Sequence, residues 1–301
     1  MILVTGGLGY IGSHLVVDLL EDNQEVIILD NLSRSSLTVL DHIETITQQR
    51  PLFYNCCISD IAMLTKIFEN HSITKVVHLA GYKSIKESAK YPELYFDNNV
   101  NKSVTFLEYI ITQGILDIIF SSSATVYALS DNPLTETSPL GPMSTYGATK
   151  LFVEQILEKI SDQNPQLNVT ILRYFNPIGQ HSSGLLHDNG ADNLYPNIKR
   201  ALETHSVLSV YGSDYPTPDG TCIRDYIQIS ELTKYHKFFL TQSTPGYQIY
   251  NVGTGIGKSV LEIISEFPNL TYEFRDRRSG DTSRLVCSVD KIVDKIKSIG
   301  R

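Results

Sequence analysis

The chain has 301 residues, enough for one large α/β unit or two lobes around a sizeable core. With 25 basic against 33 acidic side chains the net charge is −8, so no nucleic-acid partner is expected, although a few local Arg and Lys can still hold an anionic ligand. No run approaches the ~20 apolar residues of a membrane span, "MILVTGG" lacks a signal-peptide pattern, and four scattered cysteines (Cys56, Cys57, Cys222, Cys287) suit neither a disulfide framework nor a metal site, so the expectation is a cytoplasmic protein with reduced thiols and no membrane partner.

"ILV" before Thr5 predicts a first strand, and Tyr10–Glu21 a helix. "EVIILD" predicts a second strand ending at Asp30, "PLFYN" a third and "KVVHLA" a fourth ending at Ala80. A long helix is expected from Asn98 to Gln113, and "DIIFSSS" gives a fifth strand ending near Ser123. Another helix starts at Tyr146, and "NVTILRYF" is a sixth strand. Apolar runs of three or four residues without alternation suit strands buried on both faces. Their alternation with helices predicts an α/β fold built on a doubly wound parallel sheet. After Phe175 the loops lengthen and fill with Gly, Pro, Asn and Asp, as in "YGSDYPTPDG". A boundary is placed at 175, with a smaller α+β lobe beyond it.

Two local patterns carry chemistry. "TGGLGYIG" sets Gly6, Gly9 and Gly12 between the first strand and the first helix, where bare backbone lets a pyrophosphate approach the helix N-terminus. Asp30 ends the second strand, where a carboxylate hydrogen-bonds an adenosine ribose and repels a 2′-phosphate, which favours NAD over NADP. The second pattern is "STYGATK", which places Tyr146 and Lys150 one turn apart on a helix face. Alone, such a pair is most often a solvated face. Beside a dinucleotide loop, an ammonium and an oxidised nicotinamide would both favour the phenolate of a tyrosine whose free pKa is about 10. A lowered phenol can take a proton from a sugar hydroxyl while hydride leaves the same carbon. Ser123, at the carboxyl end of the fifth strand, could orient that oxygen.

With "FSSSATVY", "RYFNPIG", "HLAGYKSIKES", "YGSDYPTPDGTCIRDYI", "YNVGTGIGKSVLEI" and "RRSGD" added to these motifs, the chain resembles the extended short-chain dehydrogenases/reductases, and within them the UDP-glucose 4-epimerases. The resemblance implies a Rossmann-type NAD-binding domain over residues 1–175 and a nucleotide-sugar lobe over 176–301. It implies reversible 4-epimerisation of UDP-galactose and UDP-glucose through a transient 4-keto sugar, with NAD held throughout and Tyr146 as general base. Ser123, Tyr146 and Lys150 are then the catalytic candidates, Lys150 also holding the nicotinamide ribose. Gly6, Gly9, Tyr10, Ile11, Gly12, Asp30, Asn31, Lys83, Asn98 and Tyr174 are candidate cofactor contacts. Asn176, Asn193, Leu194, Tyr211, Arg224, Arg278, Asp281 and Leu285 are candidate substrate contacts. The arginines suit a diphosphate and Tyr211 a flat base. A homodimer is also implied, joined through helices near Asn98–Gln113 and Tyr146–Lys159.

Three departures from that pattern carry expectations. Cys56-Cys57 stands where the family has Gly-Asp, so the adenine end should be held less tightly, a thiol being a weak acceptor. Leu285, at the position beside sugar C2, is intermediate in size, so UDP-hexoses should be preferred over their N-acetylated forms. The chain ends at "SIGR", where relatives continue into a closing helix, so the expectation is either a truncated C-terminal end or a second lobe without its last element. Alternatives are a UDP-N-acetylhexosamine 4-epimerase, a nucleotide-sugar dehydratase and a non-catalytic NAD-binding sensor. A dehydratase needs an acidic pair after Ser123, and Ala124-Thr125 stands there. A sensor has no need of Ser123, Tyr146 and Lys150 together.

Overall fold

Each apolar run read as a strand forms one, and all lie in the same sheet. The computed structural model describes residues 1–188, 193–278 and 281–299. The first half runs β1 (Ile2–Thr5), α1 (Tyr10–Glu21), β2 (Val26–Asp30), α2 (Leu37–Thr47), β3 (Leu52–Asn55), α3 (Ile61–Asn70), β4 (Lys75–His78), α4 (Ile85–Lys90), α5 (Pro92–Phe96), α6 (Lys102–Thr112), β5 (Asp117–Ser123), α7 (Thr145–Gln163) and β6 (Asn168–Tyr174). The second half runs β7 (Asn176–Ile178), α8 (Leu194–Thr204), β8 (Leu208–Tyr211), β9 (Ile223–Gln228), α9 (Ile229–Leu240), β10 (Gly246–Val252), β11 (Gly257–Ser259), α10 (Val260–Ser265), β12 (Tyr272–Arg275), β13 (Arg284–Leu285) and α11 (Asp290–Ile299).

The seven-stranded sheet has the order β10-β6-β5-β4-β1-β2-β3, and every pairing is parallel. Its central residues are fully buried, from Leu3 and Val4 to Val76, Val77 and Ile171. One face packs on α1, α2, α9 and α11 through Leu15, Leu40, Leu232 and Ile292. The other packs on α3, α6 and α7 through Leu64, Phe106, Val153 and Leu157. Strand order reverses between β1 and β4, so the loops leaving these two strands open a crevice, where ligands sit in such sheets.

Two features differ from the reading of the sequence. The chain does not leave the sheet for good at 175: α9 packs on the same face as α1, and β10 pairs with β6 along seven residues. The alternation simply resumes after an excursion, which irregular loops disguise. The helix expected from Asn98 begins as a π-helical turn over Asp97–Asn101, a form often found at functional sites. The excursion itself forms a four-stranded sheet of β11, β9, β13 and β7, plus a two-stranded β12–β8 ribbon. Residues 189–192, Ser279, Gly280 and the last two residues of the "SIGR" ending lie outside the described residues.

Candidate functional site

The glycine loop leaves β1 with Gly6 at φ +68°, the left-handed region that glycine adopts without strain. A Cβ on Gly12 would lie 2.3 Å from the Gly6 carbonyl oxygen, so only hydrogen lets α1 start this close to the loop. Gly9 is the N-cap of α1, with no side-chain cap and no acidic residue in the first turn, so the positive end of the helix is left for an anion. Asp30 is buried and takes three donors from its own chain: Leu8 N–H at 3.1 Å, Leu32 N–H at 3.0 Å and the Ser35 hydroxyl at 2.8 Å. A carboxylate has about four acceptor positions, so one remains for a ribose.

Asp30, Asn31, Arg34, Cys57, Tyr82 and Asn98 line a cavity that opens beside Gly6 and Gly9. Cys57 is part of its wall, its thiol 3.3 Å from the Ser59 hydroxyl, and no carboxylate stands in its place. Arg34 stacks 4.7 Å from the Tyr82 ring centroid and pairs with Glu87. Lys83 pairs with Asp188 at 2.8 Å, and the other oxygen of Asp188 accepts from Asn193 at 2.6 Å. Tyr10 donates to the Gly179 carbonyl at 2.9 Å, and Ile11 packs into the core beneath α1.

Opposite the loop, α7 carries Tyr146 and Lys150. Ser144 caps this helix, accepting from Gly147 N–H at 3.0 Å. Gly147 is required by close approach, since a Cβ there would lie 2.4 Å from the Thr125 carbonyl oxygen. That approach brings Tyr146 to Ser123, whose hydrogen bond partly offsets burial; burial still pushes the phenol up to about 12. Lys150 is buried, donates to the Ser121 carbonyl at 2.8 Å and lies 4.9 Å from the Phe120 ring centroid. Burial pulls its ammonium down to about 8, against the pull of Glu154. The expected lowering of the phenol by Lys150 is therefore not what this arrangement gives. Burial dominates, and the ammonium is directed to a backbone carbonyl. Tyr174 also differs from expectation: its hydroxyl lies 2.6 Å from His236 Nε2 in the core.

Asn99 is a residue that motif reading missed. Its amide oxygen accepts from Tyr82 N–H at 2.8 Å and from Asn98 at 3.1 Å. Its amide nitrogen donates to the Tyr82 carbonyl at 2.9 Å and to Thr149 at 3.2 Å. One buried side chain thus ties the loop after β4 to α7, between Tyr146 and Lys150. The signal was there in "DNNVN": a buried second Asn beside the first needs a full set of partners.

The sugar-side candidates fall into two groups. Tyr211, Arg224, Arg278, Asp281 and Leu285 gather around β8, β9 and β13. Arg224 donates to the Ile223 and Thr282 carbonyls, each at 2.9 Å, and Asp281 lies 3.8 Å from Arg224 and 3.4 Å from Arg278. The Arg278 guanidinium covers the Tyr211 ring at 4.3 Å. Leu285 pairs with Arg224 across the strands and packs on the cluster of Ala124, Tyr127 and Phe175. Asn176 stands apart on β7 with a buried amide oxygen that has no partner. Leu194 opens α8 and packs into the core of Ile198 and Ile263.

Residues 2–253 match the model of the NAD dependent epimerase/dehydratase family. The chain is 46% identical over 298 residues to the UDP-glucose 4-epimerase of Yersinia enterocolitica, covering 95% of this chain and 89% of that protein. It is 42% identical to the UDP-glucose 4-epimerase of Bacillus subtilis (strain 168), covering 93% and 86%. Among solved structures it resembles the UDP-glucose 4-epimerase of Stenotrophomonas maltophila with bound NAD and formylated UDP-arabinopyranose, with TM-score 0.94, 35% identity and 98% and 92% coverage. The enzyme of Bifidobacterium longum in complex with NAD+ and UDP gives TM-score 0.93, 37% identity and the same coverage.

Proposed function

The chain belongs to the NAD dependent epimerase/dehydratase family, and from that premise we propose that it interconverts UDP-galactose and UDP-glucose at C4. The observation that carries this reading is the meeting of Ser123, Tyr146 and Lys150 at the strand ends facing the glycine loop. The residues present fit NAD: Gly12 lets α1 start against the loop, Gly9 leaves that helix uncapped for a pyrophosphate, and Asp30 keeps one acceptor position. Gly6, Gly9, Gly12 and the first turn of α1 would hold the pyrophosphate, Asp30 the adenosine ribose, and Lys150 the nicotinamide ribose.

Bound NAD would supply the acceptor and donor for the hydride of sugar C4 and a pyridinium charge that favours an ionised Tyr146. Tyr146 Oη then accepts the proton of the 4-hydroxyl and, once the keto sugar has turned to present its other face, returns that proton to the C4 oxygen. Ser123 Oγ orients the same sugar oxygen, and Lys150 supplies a fixed cation beneath the ribose. Asn99 holds the loop and helix at a constant spacing during both transfers. Arg224 and Arg278 bind the diphosphate, with Asp281 holding their forks apart until the nucleotide arrives. The sugar must turn about its tether between the two transfers, so the walls around it need loose polar contacts rather than a fixed grip. The half-exposed Arg278, 3.4 Å from Asp281, fits that need.

Leu285 packs beside Ala124, one residue past Ser123, and narrows the space at sugar C2. UDP-glucose and UDP-galactose are accordingly preferred, and the N-acetylated sugars react slowly. The chain works as a homodimer through α6 and α7. Phe152 on α7 is 47% exposed and packs on Phe96 of α5, a helix that also carries the exposed Leu94, which gives that face an apolar surface to bury. Four free thiols suit a reducing compartment, the cytoplasm. No helix of the described residues is long and apolar enough to cross a membrane. The test is incubation with each of four UDP-hexoses and separation of the C4 epimers. Comparable turnover of UDP-N-acetylglucosamine would overturn the preference, and a 4-keto-6-deoxy product would overturn the reaction.

A further inference from the structure

Glu154 is a buried carboxylate that the proposed reaction does not use. It lies on α7 one turn past Lys150 and two past Tyr146, so the three side chains share a helix face. Its side chain is 2% exposed, and that of Arg173, its partner on β6, is 1% exposed. The pair is bidentate: Arg173 Nε donates to Glu154 Oε1 at 3.0 Å and Nη2 donates to Oε2 at 2.6 Å. The Ser122 hydroxyl donates to the same Oε1. Ser122 and Arg173 are register partners on β5 and β6, so one carboxylate fastens α7 to two neighbouring strands. The rest of the guanidinium is held as well, Nη1 donating to the Glu136 carbonyl at 3.4 Å and the central carbon lying 4.8 Å from the Tyr127 ring centroid. Adjacent serines on β5 thus hold successive turns of α7. The Ser121 carbonyl takes Lys150 at 2.8 Å, and the Ser122 hydroxyl takes Glu154.

A buried ion pair adds little net stability, because both ions lose their water and apolar side chains of similar volume would pack as well. What it adds is direction. Val153 and Leu157 pack α7 on the sheet through apolar contacts, which tolerate a small slide or roll. A fork of two hydrogen bonds between planar groups does not. We infer that Glu154 is a positioning residue for the reaction: its fork to Arg173 and its bond with Ser122 fix α7 on β5, and with it the places of Tyr146 and Lys150 against Ser123 and Ser121. The inference rests on the reading of Ser123, Tyr146 and Lys150 as the reacting group. The start of α7 has other anchors, Asn99 to Thr149 at 3.2 Å and Tyr146 N–H to the Ser88 hydroxyl at 3.1 Å. Those bonds run to the π-helical turn and to α4, so they set a different spacing from the one on β5.

The test replaces the pair by Glu154→Met together with Arg173→Met, which removes both charges at once and keeps apolar side chains of similar length. The variant is expected to fold and to melt close to the native temperature. Its crystal structure should show the Lys150 ammonium beyond hydrogen-bond range of the Ser121 carbonyl and Tyr146 drawn away from Ser123. Its kcat should fall about tenfold, with the KM for UDP-galactose within about twofold of native, because the loss is of alignment and not of binding. A merely structural pair would move the melting temperature and leave kcat and both contacts as they are. A folded double variant with native kcat overturns the inference, and so does one with low kcat and both contacts in place. Should the double variant not fold, Ser122→Ala decides. It keeps the ion pair and removes the bond to β5, so kcat should fall about threefold at an unchanged melting temperature, and a native kcat there overturns the inference. The crystal structure needs no UDP-sugar, so a failure of the proposed reaction would show separately, as the expected displacement in the variant with no epimer formed by the native protein.

Discussion

The crevice has two walls built in different ways. On the glycine-loop side the polar groups are fixed in advance: Asp30 holds three donors and keeps one acceptor position, Asn99 uses all four of its hydrogen-bonding positions, and a Cβ on Gly12 would strike backbone. On the lobe side the charges are partly exposed and loosely paired. Asp281 stands 3.8 and 3.4 Å from its two arginines, and the Arg278 side chain is 47% exposed. A cofactor that never leaves calls for the first kind of wall. A sugar that must turn over between two half-reactions calls for the second. The cost of ordering is met during folding on one side and during binding on the other.

The comparison breaks most readily at Gly12. Gly12→Ala should lose NAD on purification and lower stability by about 3 kcal/mol, measured by chemical denaturation, because backbone rather than a flexible side chain must shift. Acid should act on the same half. His78 and His236 are neutral in the fold, at about 3 and about 4, against ~6.5 unfolded. Between these values the unfolded chain binds protons that the native chain does not. Stability is therefore complete above about pH 6.5 and falls as pH drops toward 4, by roughly 3 kcal/mol for His236 alone. Melting curves from pH 7 to 4 check this, and a flat profile would place these rings in water. On the lobe side, Arg224→Ala should leave the fold intact and raise the KM for UDP-sugar about thirtyfold, with NAD retention unchanged. The smallest effect sharpens the contrast at the adenine end. Cys57→Asp, which places an anionic acceptor in the cavity wall, should tighten NAD several-fold, or about 1 kcal/mol by calorimetry.

What could be read beforehand divides along the same line. The sheet was legible because strands buried on both faces leave unbroken apolar runs such as "VVHLA", and a glycine loop leaves glycines at fixed spacing. The approach of Tyr146 to Ser123, with Lys150 one turn on, was legible as a pattern because few residue types suit the proposed proton transfer. The return of α9 and β10 to the sheet was not, since long loops hide resumed alternation. Asn99 was missed because it acts through other residues: a buried amide leaves no periodic trace. The direction of the Tyr146 shift was misread for a related reason. One turn of helix places two groups on one face, but it does not say whether the ammonium will turn to the phenol or to the Ser121 carbonyl.

The most direct measurement of the central claim is proton NMR of UDP-galactose incubated with the NAD-loaded protein and, in parallel, with Tyr146→Phe. Proton transfer at the sugar hydroxyl by that phenol predicts steady conversion to UDP-glucose by the native protein, and a rate at least about a thousandfold lower in the variant. Equal rates in the two proteins, or no UDP-glucose from either, would contradict it.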